Sequence, residues 1–172
     1  MLNENEIFEK AFKIHLEGKI KEAQKIYLKL VRKKEKKHNL FFLLATTYLQ
    51  TEDYEKAINF FNKSIDIKSD FADAYNNRGI TLNKLKKYHE AIEDFNRAIK
   101  LKENYFDAHL NKGISLRNLR KYHEAILSYQ NCIKLKSHDA RIYNNLANVF
   151  VELSNYDEAL KSFNKAIQLN KN

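Results

Sequence analysis

The chain has 172 residues, of which 44% are hydrophobic, and a formal net charge of +9. This apolar content is enough to bury a core, which excludes a disordered chain. With no proline and only three glycines, the sequence lacks the punctuation of a protein built from strands and tight turns, and it indicates mostly helix.

The N-terminal segment carries acidic residues where a secretory signal peptide needs basic ones, and no apolar run follows it. The longest apolar stretch, residues 40–49, contains two threonines and is too short to span a bilayer. We therefore expect a soluble, cytoplasmic protein with no membrane partner. The single cysteine, Cys132, excludes an internal disulfide and a cysteine-based zinc site and fits a reducing compartment.

An internal repeat organises the whole chain, because residues 87–92 and 121–126 have the same sequence, KYHEAI. Four rows of equal length and a fifth that is one residue shorter can be written without gaps, as residues 4–37, 38–71, 72–105, 106–139 and 140–172. Two columns of the rows hold small residues: Ala23, Ala57, Ala91, Ala125 and Ala159, and Ala11, Ala45, Gly79, Gly113 and Ala147. Two others hold large, mostly aromatic residues: Tyr27, Phe61, Phe95, Tyr129 and Phe163, and Ile20, Tyr54, Tyr88, Tyr122 and Tyr156.

Within each row, the apolar residues recur at helical spacing in two stretches, which predicts a pair of antiparallel helices. The small columns allow these helices to approach closely, and the aromatic columns fill the space beside them. Asp53 and Asn155 are predicted N-caps of second helices, and Asn155 has Glu158 at capping-box spacing. Ser69 and Asn104 are predicted caps of the first helices that follow them.

These columns resemble the tetratricopeptide repeat family, whose helix-turn-helix unit has small and aromatic residues at the same places. The resemblance covers nearly the whole chain and implies an all-α protein of ten helices, a right-handed α-solenoid of five repeats forming one domain over residues 1–172. The sequence departs from the family pattern where a proline usually stands near the end of a repeat. Glu35, Ser69, Glu103 and Ser137 occupy those positions.

The resemblance also implies a concave groove, lined by the first helices, that binds an extended peptide or a partner helix. The residues placed there by the family pattern are Phe8, Phe12, Phe42, Asn76, Asn77, Ile80, Asn83, Asn111, Arg117, Arg141, Asn144, Asn145 and Asn148. Asn77, Asn111 and Asn145 share one column and are similar to the asparagine ladder of O-linked N-acetylglucosamine transferases, in which amides pair with a peptide backbone. Two alternatives stay open: codon bias could scatter asparagine, and the three phenylalanines could belong to the core.

Other functions have less support from the residues. No catalytic or cofactor motif and no metal-ligand spacing occurs, so we expect no enzyme activity, no cofactor and no bound metal. The basic cluster Arg32, Lys33, Lys34, Lys36 and Lys37 ends a predicted second helix, where cations meet the helix dipole favourably. Because no basic stripe with interleaved aromatics follows one face, the pattern disfavours a nucleic-acid partner.

The last row differs from the first in one respect that bears on assembly. The first row has lost an aromatic at Ile20 and gained charge, as terminal repeats usually do. The last row keeps Leu160, Phe163 and Ile167, which in other rows would pack on a following helix. We expect a protein-binding adaptor or recruiting segment of a longer protein, and as an alternative a scaffold that self-associates through its C-terminal end.

Overall fold

The computed structural model describes residues 3–33 and 37–170, and this part of the chain contains ten α-helices and no strand. The helices are α1 (Glu4–Leu16), α2 (Ile20–Arg32), α3 (His38–Gln50), α4 (Tyr54–Ile67), α5 (Ala72–Lys84), α6 (Tyr88–Leu101), α7 (Phe106–Asn118), α8 (Tyr122–Leu135), α9 (Ala140–Glu152) and α10 (Tyr156–Asn170). Each row of the sequence begins with the first residue of a helix, which confirms the predicted all-α fold of five helix pairs. Lys34, Glu35 and Lys36 lie outside the described residues.

The helices form two compact units, unit 1 (Met1–Lys86) and unit 2 (Lys87–Asn172). Unit 1 contains α1 to α5, and unit 2 contains α6 to α10. Within a unit, a first helix contacts the second helix of its own row and that of the preceding row: α3 contacts α2 and α4, and α9 contacts α8 and α10. The boundary between the units falls inside the third row, and the single domain over residues 1–172 stays a prediction.

Unit 1 is built around aromatic rings packed against alanines. Tyr27 and Phe61 from the aromatic column are fully buried, as are the alanines of the two small columns in this unit. The ring of Phe42 lies 5.9 Å from Phe61 and 4.9 Å from Phe71, measured between centroids. Tilted rings at this spacing add to the stabilisation that comes from burial alone.

Unit 2 uses the same columns with a glycine at one of the small positions. The fully buried ring of Tyr129 on α8 packs directly onto Gly113 of α7, and a Cβ atom at Gly113 would overlap Tyr129 Cε1. Glycine is therefore the one residue that fits here without a shift of the ring. Cys132 is also fully buried, and burial raises the pKa of its thiol to about 12, so it is an inert core residue.

The turn within each helix pair contains one residue with a left-handed backbone. Gly18 has a φ angle of +78°. The residues at the equivalent position of the other four turns are not glycine and have φ angles of 62°, 60°, 59° and 57°. They are Glu52, Lys86, Arg120 and Ser154. Left-handed backbone is costly for residues that carry a Cβ atom, so the repeated turn imposes a similar small strain in four of the five rows.

The predicted caps are correct for second helices and wrong for first helices. Asp53 accepts a hydrogen bond from the Lys56 backbone N–H at 3.4 Å, and Asn155 accepts one from Glu158 N–H at 3.3 Å. Ser69 and Asn104 do not cap, because α5 and α7 begin later, at Ala72 and Phe106.

The reason for the late start of α5 is the packing of the residue before it. Phe71 occupies the cap position, and its ring lies 5.3 Å from His38 and 4.9 Å from Phe42. These ring contacts with α3 fix where the helix begins, and they depend on tertiary structure rather than on a local cap signal. None of the described helices has the length and apolar character needed to cross a bilayer.

Candidate functional site

The predicted groove residues are divided between the units. Unit 1 carries Phe8, Phe12, Phe42, Asn76, Asn77, Ile80 and Asn83, and unit 2 carries Asn111, Arg117, Arg141, Asn144, Asn145 and Asn148. All of them stand on first helices. Their exposure and bonding differ enough that the two units offer surfaces of different chemistry.

The three predicted phenylalanines of unit 1 have different environments. Phe8 lies against the core, 6.1 Å from the ring of Tyr27, and Phe42 packs on Phe61 and Phe71. These two are mainly core residues, which is the alternative that the sequence left open. Phe12 is exposed, and so is Leu16, one helical turn later, with 73% of its surface accessible. Leu16 was not singled out from the sequence, although its spacing from Phe12 places both on one face of α1.

A polar contact joins the first helices of unit 1 beside this apolar pair. His15 Nε2 lies 2.8 Å from Gln50 Oε1, and the His15 ring meets the edge of Tyr27 at 6.0 Å. His15 is buried, with 9% of its surface exposed. The histidine therefore links α1 to α3 and positions the surface around Phe12.

Two adjacent asparagines of α5 have separate roles. Asn76 is 4% exposed, so its placement among surface residues of the groove needs correction. Its side-chain amide donates to Asn77 Oδ1 at 3.1 Å. Asn77 is partly exposed, and an asparagine side chain has two donor and two acceptor positions, so one accepted bond leaves it capacity for a ligand. Ile80 and Asn83 are half-buried on the same helix.

Unit 2 presents amides along α7 and α9. Asn144 and Asn148 are exposed, and Asn111 and Asn145 are partly exposed. Asn145 Nδ2 donates to the backbone carbonyl of Arg141 at 2.9 Å, which holds the side chain against its own helix. Its carbonyl oxygen can accept from a peptide N–H in that position. Asn111 and Asn145 share one helical position, since α7 and α9 begin at equivalent residues.

Arg141 is held in an ion pair at the start of α9. Two of its nitrogens donate to the Asp139 carboxylate, Nε to Oδ1 at 3.0 Å and to Oδ2 at 3.2 Å, and Nη2 to Oδ2 at 2.7 Å. Its Nη2 also lies 3.7 Å from Asp107 Oδ1. The hydrogen bond from Arg141 holds the pKa of Asp139 below its usual value, and the same bond raises the pKa of Arg141. The positive charge that Arg141 would offer to a ligand is therefore largely compensated by the carboxylates of Asp139 and Asp107.

Arg117 lies in an open, polar cavity of about 400 Å³ formed by α7, the turn after α7, the start of α8, and α9. The cavity is lined by Arg117, Asn118, Arg120, Tyr122, Asn148, Val151 and Glu152. It brings together the predicted residues Arg117 and Asn148 and adds Arg120 and Glu152, which no motif in the sequence had indicated. A cavity with two guanidinium groups and amides suits polar or acidic side chains of a peptide.

The predicted association residues lie on α10, which contacts α9. Leu160 and Ile167 are exposed, while Phe163 is partly buried. In the N-terminal basic cluster, Lys37 Nζ donates to Asn5 Oδ1 at 3.1 Å, and Arg32 and Lys33 are exposed. Lys34 and Lys36 of that cluster lie outside the described residues.

Comparison with solved structures gives matches over nearly the full chain. The crystal structure of MamA matches with a TM-score of 0.85 and 24% identity, covering 94% of each chain. MamA from residue 41 to the end, from Desulfovibrio magneticus RS-1, matches with a TM-score of 0.88 and 16% identity, over 96% of this chain and 93% of the other. YrrB, described as a TPR protein with an unusual peptide-binding site, matches with a TM-score of 0.79 and 21% identity, over 96% of this chain and 86% of its own. At these identities the matches show the fold.

Family models give the second comparison. One model described as tetratricopeptide repeat matches residues 72–105 and 140–172, and a second with the same description matches residues 106–139. A model described as TPR repeat matches residues 45–86. Together they run without a gap from residue 45 to residue 172, which is well over half of the chain. A search of curated proteins found no significant match. With its helix pairs, its repeated columns and these matches, the chain belongs to the tetratricopeptide repeat family.

Proposed function

We propose that this chain is a protein-interaction module whose first helices bind an extended peptide segment of a partner protein. Membership of the tetratricopeptide repeat family supports an interaction module rather than an enzyme. The match to YrrB, a TPR protein described as having a peptide-binding site, supports a peptide as the ligand.

The observation that carries the proposal is the recurrence of asparagine at one helical position. Asn77, Asn111 and Asn145 are each the sixth residue of a first helix and each partly exposed. Asparagine in a helix interior costs ~0.5 kcal/mol relative to alanine, so its repeated use on a partly exposed face is consistent with a role in binding. An amide can donate to a peptide carbonyl and accept from a peptide N–H, which reads a backbone irrespective of its side chains.

The two units supply different additional contacts in this proposal. Phe12 and Leu16 of unit 1 offer an apolar anchor for a large side chain. The cavity around Arg117 in unit 2 offers guanidinium groups for an acidic or polar side chain. Each unit is thus suited to a different kind of side chain of a partner, a large apolar one at unit 1 and an acidic or polar one at unit 2.

The test starts with a peptide selected against this chain from a displayed random library. Changing Asn77, Asn111 and Asn145 together to alanine should weaken its binding at least tenfold, because three hydrogen bonds of ~0.5–1.5 kcal/mol each are lost. The matched control changes Asn59, Asn96 and Asn164 to alanine, since these are exposed asparagines of second helices. Both triple variants gain helix propensity to the same extent, so a loss confined to the first is an effect on binding.

A second form of the peptide separates backbone recognition from side-chain recognition. N-methylation of alternate backbone nitrogens should abolish binding, because it removes the donors that the amide oxygens accept from. Unchanged affinity for both the triple variant and the methylated peptide would contradict the role of the asparagine column.

A further inference from the structure

The second helix α2 carries a line of cations along the middle of its solvent-facing side. The α2 stripe consists of four exposed residues at helical spacing: Lys21, Lys25, Lys29 and Arg32. Because each residue of a helix is turned by ~100° from the last, the stripe falls within an arc of ~80° and spans ~16 Å along the axis. The buried residues Ala23, Tyr27 and Leu30 lie on the opposite side of α2. The stripe therefore takes no part in the core of unit 1.

The other second helices have mixed charges at the equivalent positions, which are the second, sixth, tenth and thirteenth residues of each helix. All of these residues are exposed, as they are in α2. They include one cation and two carboxylates in α4, two cations and one carboxylate in both α6 and α10, and one cation in α8. Of the five second helices that the structure describes, α2 alone has a cation at all four positions. The fold requires exposed side chains there, but it does not require positive charge.

The charges of the stripe are not neutralised by other residues of the chain. Within the described ranges 3–33 and 37–170, none of the four side chains forms an ion pair or a hydrogen bond. Lys161 of α10 is equivalent to Lys25 and is paired with Glu158, with Nζ 2.6 Å from Oε1. Glu22 is the one carboxylate of α2 and has the same spacing from Lys25, but the two make no such contact. The stripe thus presents its full charge to solvent.

This arrangement of charge weakens the helix that carries it. Lys25 lies four residues from both Lys21 and Lys29, a spacing at which like charges repel each other. Arg32 is in the last turn of α2, where a cation meets the helix dipole favourably. Lys21 is in the first turn, where the same dipole disfavours a cation. The dipole that accounts for the basic end of α2 therefore does not account for the stripe.

The side chains of α2 also determine which kind of polyanion the stripe fits. No aromatic residue of α2 is exposed, so the helix has no ring on which a nucleic-acid base could stack. Its large apolar residues are all buried or half-buried, so none can insert into a lipid surface. Three of the four cations are lysines, which lack the planar fork with which arginine binds a phosphate. Carboxylates at every fourth residue of a helix have the same ~6 Å rise as the lysines of the stripe.

We propose that the α2 stripe binds an acidic helical segment of a partner protein, whose carboxylates recur every four residues and face the lysines in line. The stripe lies on a second helix, so this surface is additional to the asparagine column of the first helices. Exposed ion pairs are individually weak and are screened by salt. The dissociation constant should therefore be on the order of 10⁻⁴ M at low salt.

An NMR titration of the ¹⁵N-labelled 172-residue chain tests the binding. One synthetic helical peptide carries glutamate at every fourth position, and a second peptide has glutamine at the same positions. We expect the glutamate peptide alone to shift the backbone amide signals of α2. Its affinity should fall at least tenfold between about 50 mM and about 300 mM salt, because the contacts are exposed charges. Shifts confined to other helices, or the same affinity for both peptides, would contradict the proposal.

Charge reversal locates the site on the stripe. Lys25→Glu combined with Lys29→Glu should weaken binding of the glutamate peptide at least tenfold. The control combines Lys63→Glu with Lys165→Glu, which changes the net charge equally at the exposed equivalents of Lys29 on α4 and α10. The control should change the dissociation constant less than threefold. Equal effects of the two double variants would show that net charge alone attracts the peptide, and would overturn the proposal.

Two other polyanions test the class of partner. Vesicles of phosphatidylserine and phosphatidylcholine, and a short DNA duplex, are titrated against the original chain and the stripe variant. The loss of affinity caused by the stripe variant should be larger for the glutamate peptide than for either of them. A larger loss for the vesicles or for the duplex would assign the stripe to a lipid surface or to nucleic acid, and would contradict a protein partner.

Discussion

Unit 1 and unit 2 share one helix register and fill it with different side chains. In unit 1, Phe42, Phe61 and Phe71 form a ring cluster with centroid distances of 4.9 and 5.9 Å. In unit 2, the ring at the position equivalent to Phe61 is Tyr129, which packs on Gly113. The comparison teaches that the repeat fixes where large and small residues stand, while the source of packing energy varies from one unit to the other.

The largest effect should come from the aromatic cluster of unit 1. Phe61→Ala removes a fully buried ring that contacts Phe42, so we expect a loss of about 4 kcal/mol in the free energy of unfolding. Urea denaturation measures the loss, and hydrogen exchange locates it. Protection should fall first in α3 and α4. Equal loss of protection throughout residues 87–170 would show that the two units unfold as one.

The close contact of unit 2 should give the next largest effect. Gly113→Ala places a methyl group against the ring of Tyr129, and we expect a net loss of about 2 kcal/mol after the gain in helix propensity. The control is Gly18→Ala in unit 1, where no atom lies within 4 Å of the added Cβ and the positive φ alone costs about 1 kcal/mol. A Gly113 variant as stable as the original would mean that the ring can move aside.

The ion pair of unit 2 should give a smaller effect that depends on pH. Arg141 lowers the pKa of Asp139, so the carboxylate stabilises the fold fully above its ordinary pKa and loses this contribution as pH falls through the lowered value. Asp139→Asn should cost ~0.5–1 kcal/mol at pH 7, since the pair is partly exposed to solvent, and less at pH 2. Urea unfolding of both proteins at the two pH values measures the difference.

An Asp→Asn substitution at Asp53 of unit 1 allows this carboxylate to be compared with Asp139 of unit 2. Asp53 caps α4 and pairs with Lys56, at 2.6 Å from Nζ to Oδ2, and its pKa is lowered by that hydrogen bond. A lysine offers a single flexible contact where Arg141 offers two. Asp53→Asn should therefore show the same direction of pH dependence with a smaller amplitude. A larger effect at Asp53 would contradict this ranking.

The smallest effect concerns the hydroxyl groups of the two core tyrosines. The oxygen atoms of Tyr27 in unit 1 and Tyr129 in unit 2 are buried, and neither has a hydrogen-bond partner in the part of the chain that the structure describes. Replacing either residue with phenylalanine, as the sequence has at Phe61 and Phe95, should leave stability unchanged or raise it by up to ~1 kcal/mol. A loss above 1 kcal/mol in a melting experiment would show that the hydroxyl group is bound.

The fold could be predicted from the sequence because the same helix pattern recurs in every row, so an irregular residue in one row does not hide it. Tyr54, Tyr88, Tyr122 and Tyr156 each begin a second helix, as the aligned rows require. Exposure was harder to predict, because it depends on neighbours that are distant in sequence. Asn76 and Asn77 are adjacent and chemically identical, yet one is buried and the other partly exposed.

Some groove residues were predicted incorrectly from the sequence because tertiary contacts determine what surrounds their side chains. Arg141 occupies a groove column, but its guanidinium is held by Asp139, whose role no column analysis reveals. Phe8 and Phe42 share a column with Asn76 and pack in the core, since the surrounding residues of unit 1 are apolar. Periodicity thus locates a residue on a helix, whereas the packing partners determine what its side chain can bind.

The left-handed residue in each turn has a consequence for how this chain can change over time. Glu52, Lys86, Arg120 and Ser154 each hold a positive φ angle at a cost of ~1 kcal/mol that glycine would avoid. One such residue lies in each of four repeats, so replacements by glycine should act nearly additively. Replacing all four residues by glycine should therefore raise the free energy of unfolding by ~4 kcal/mol. Such a gain could offset destabilising mutations elsewhere, including those that adapt the surface to a new partner.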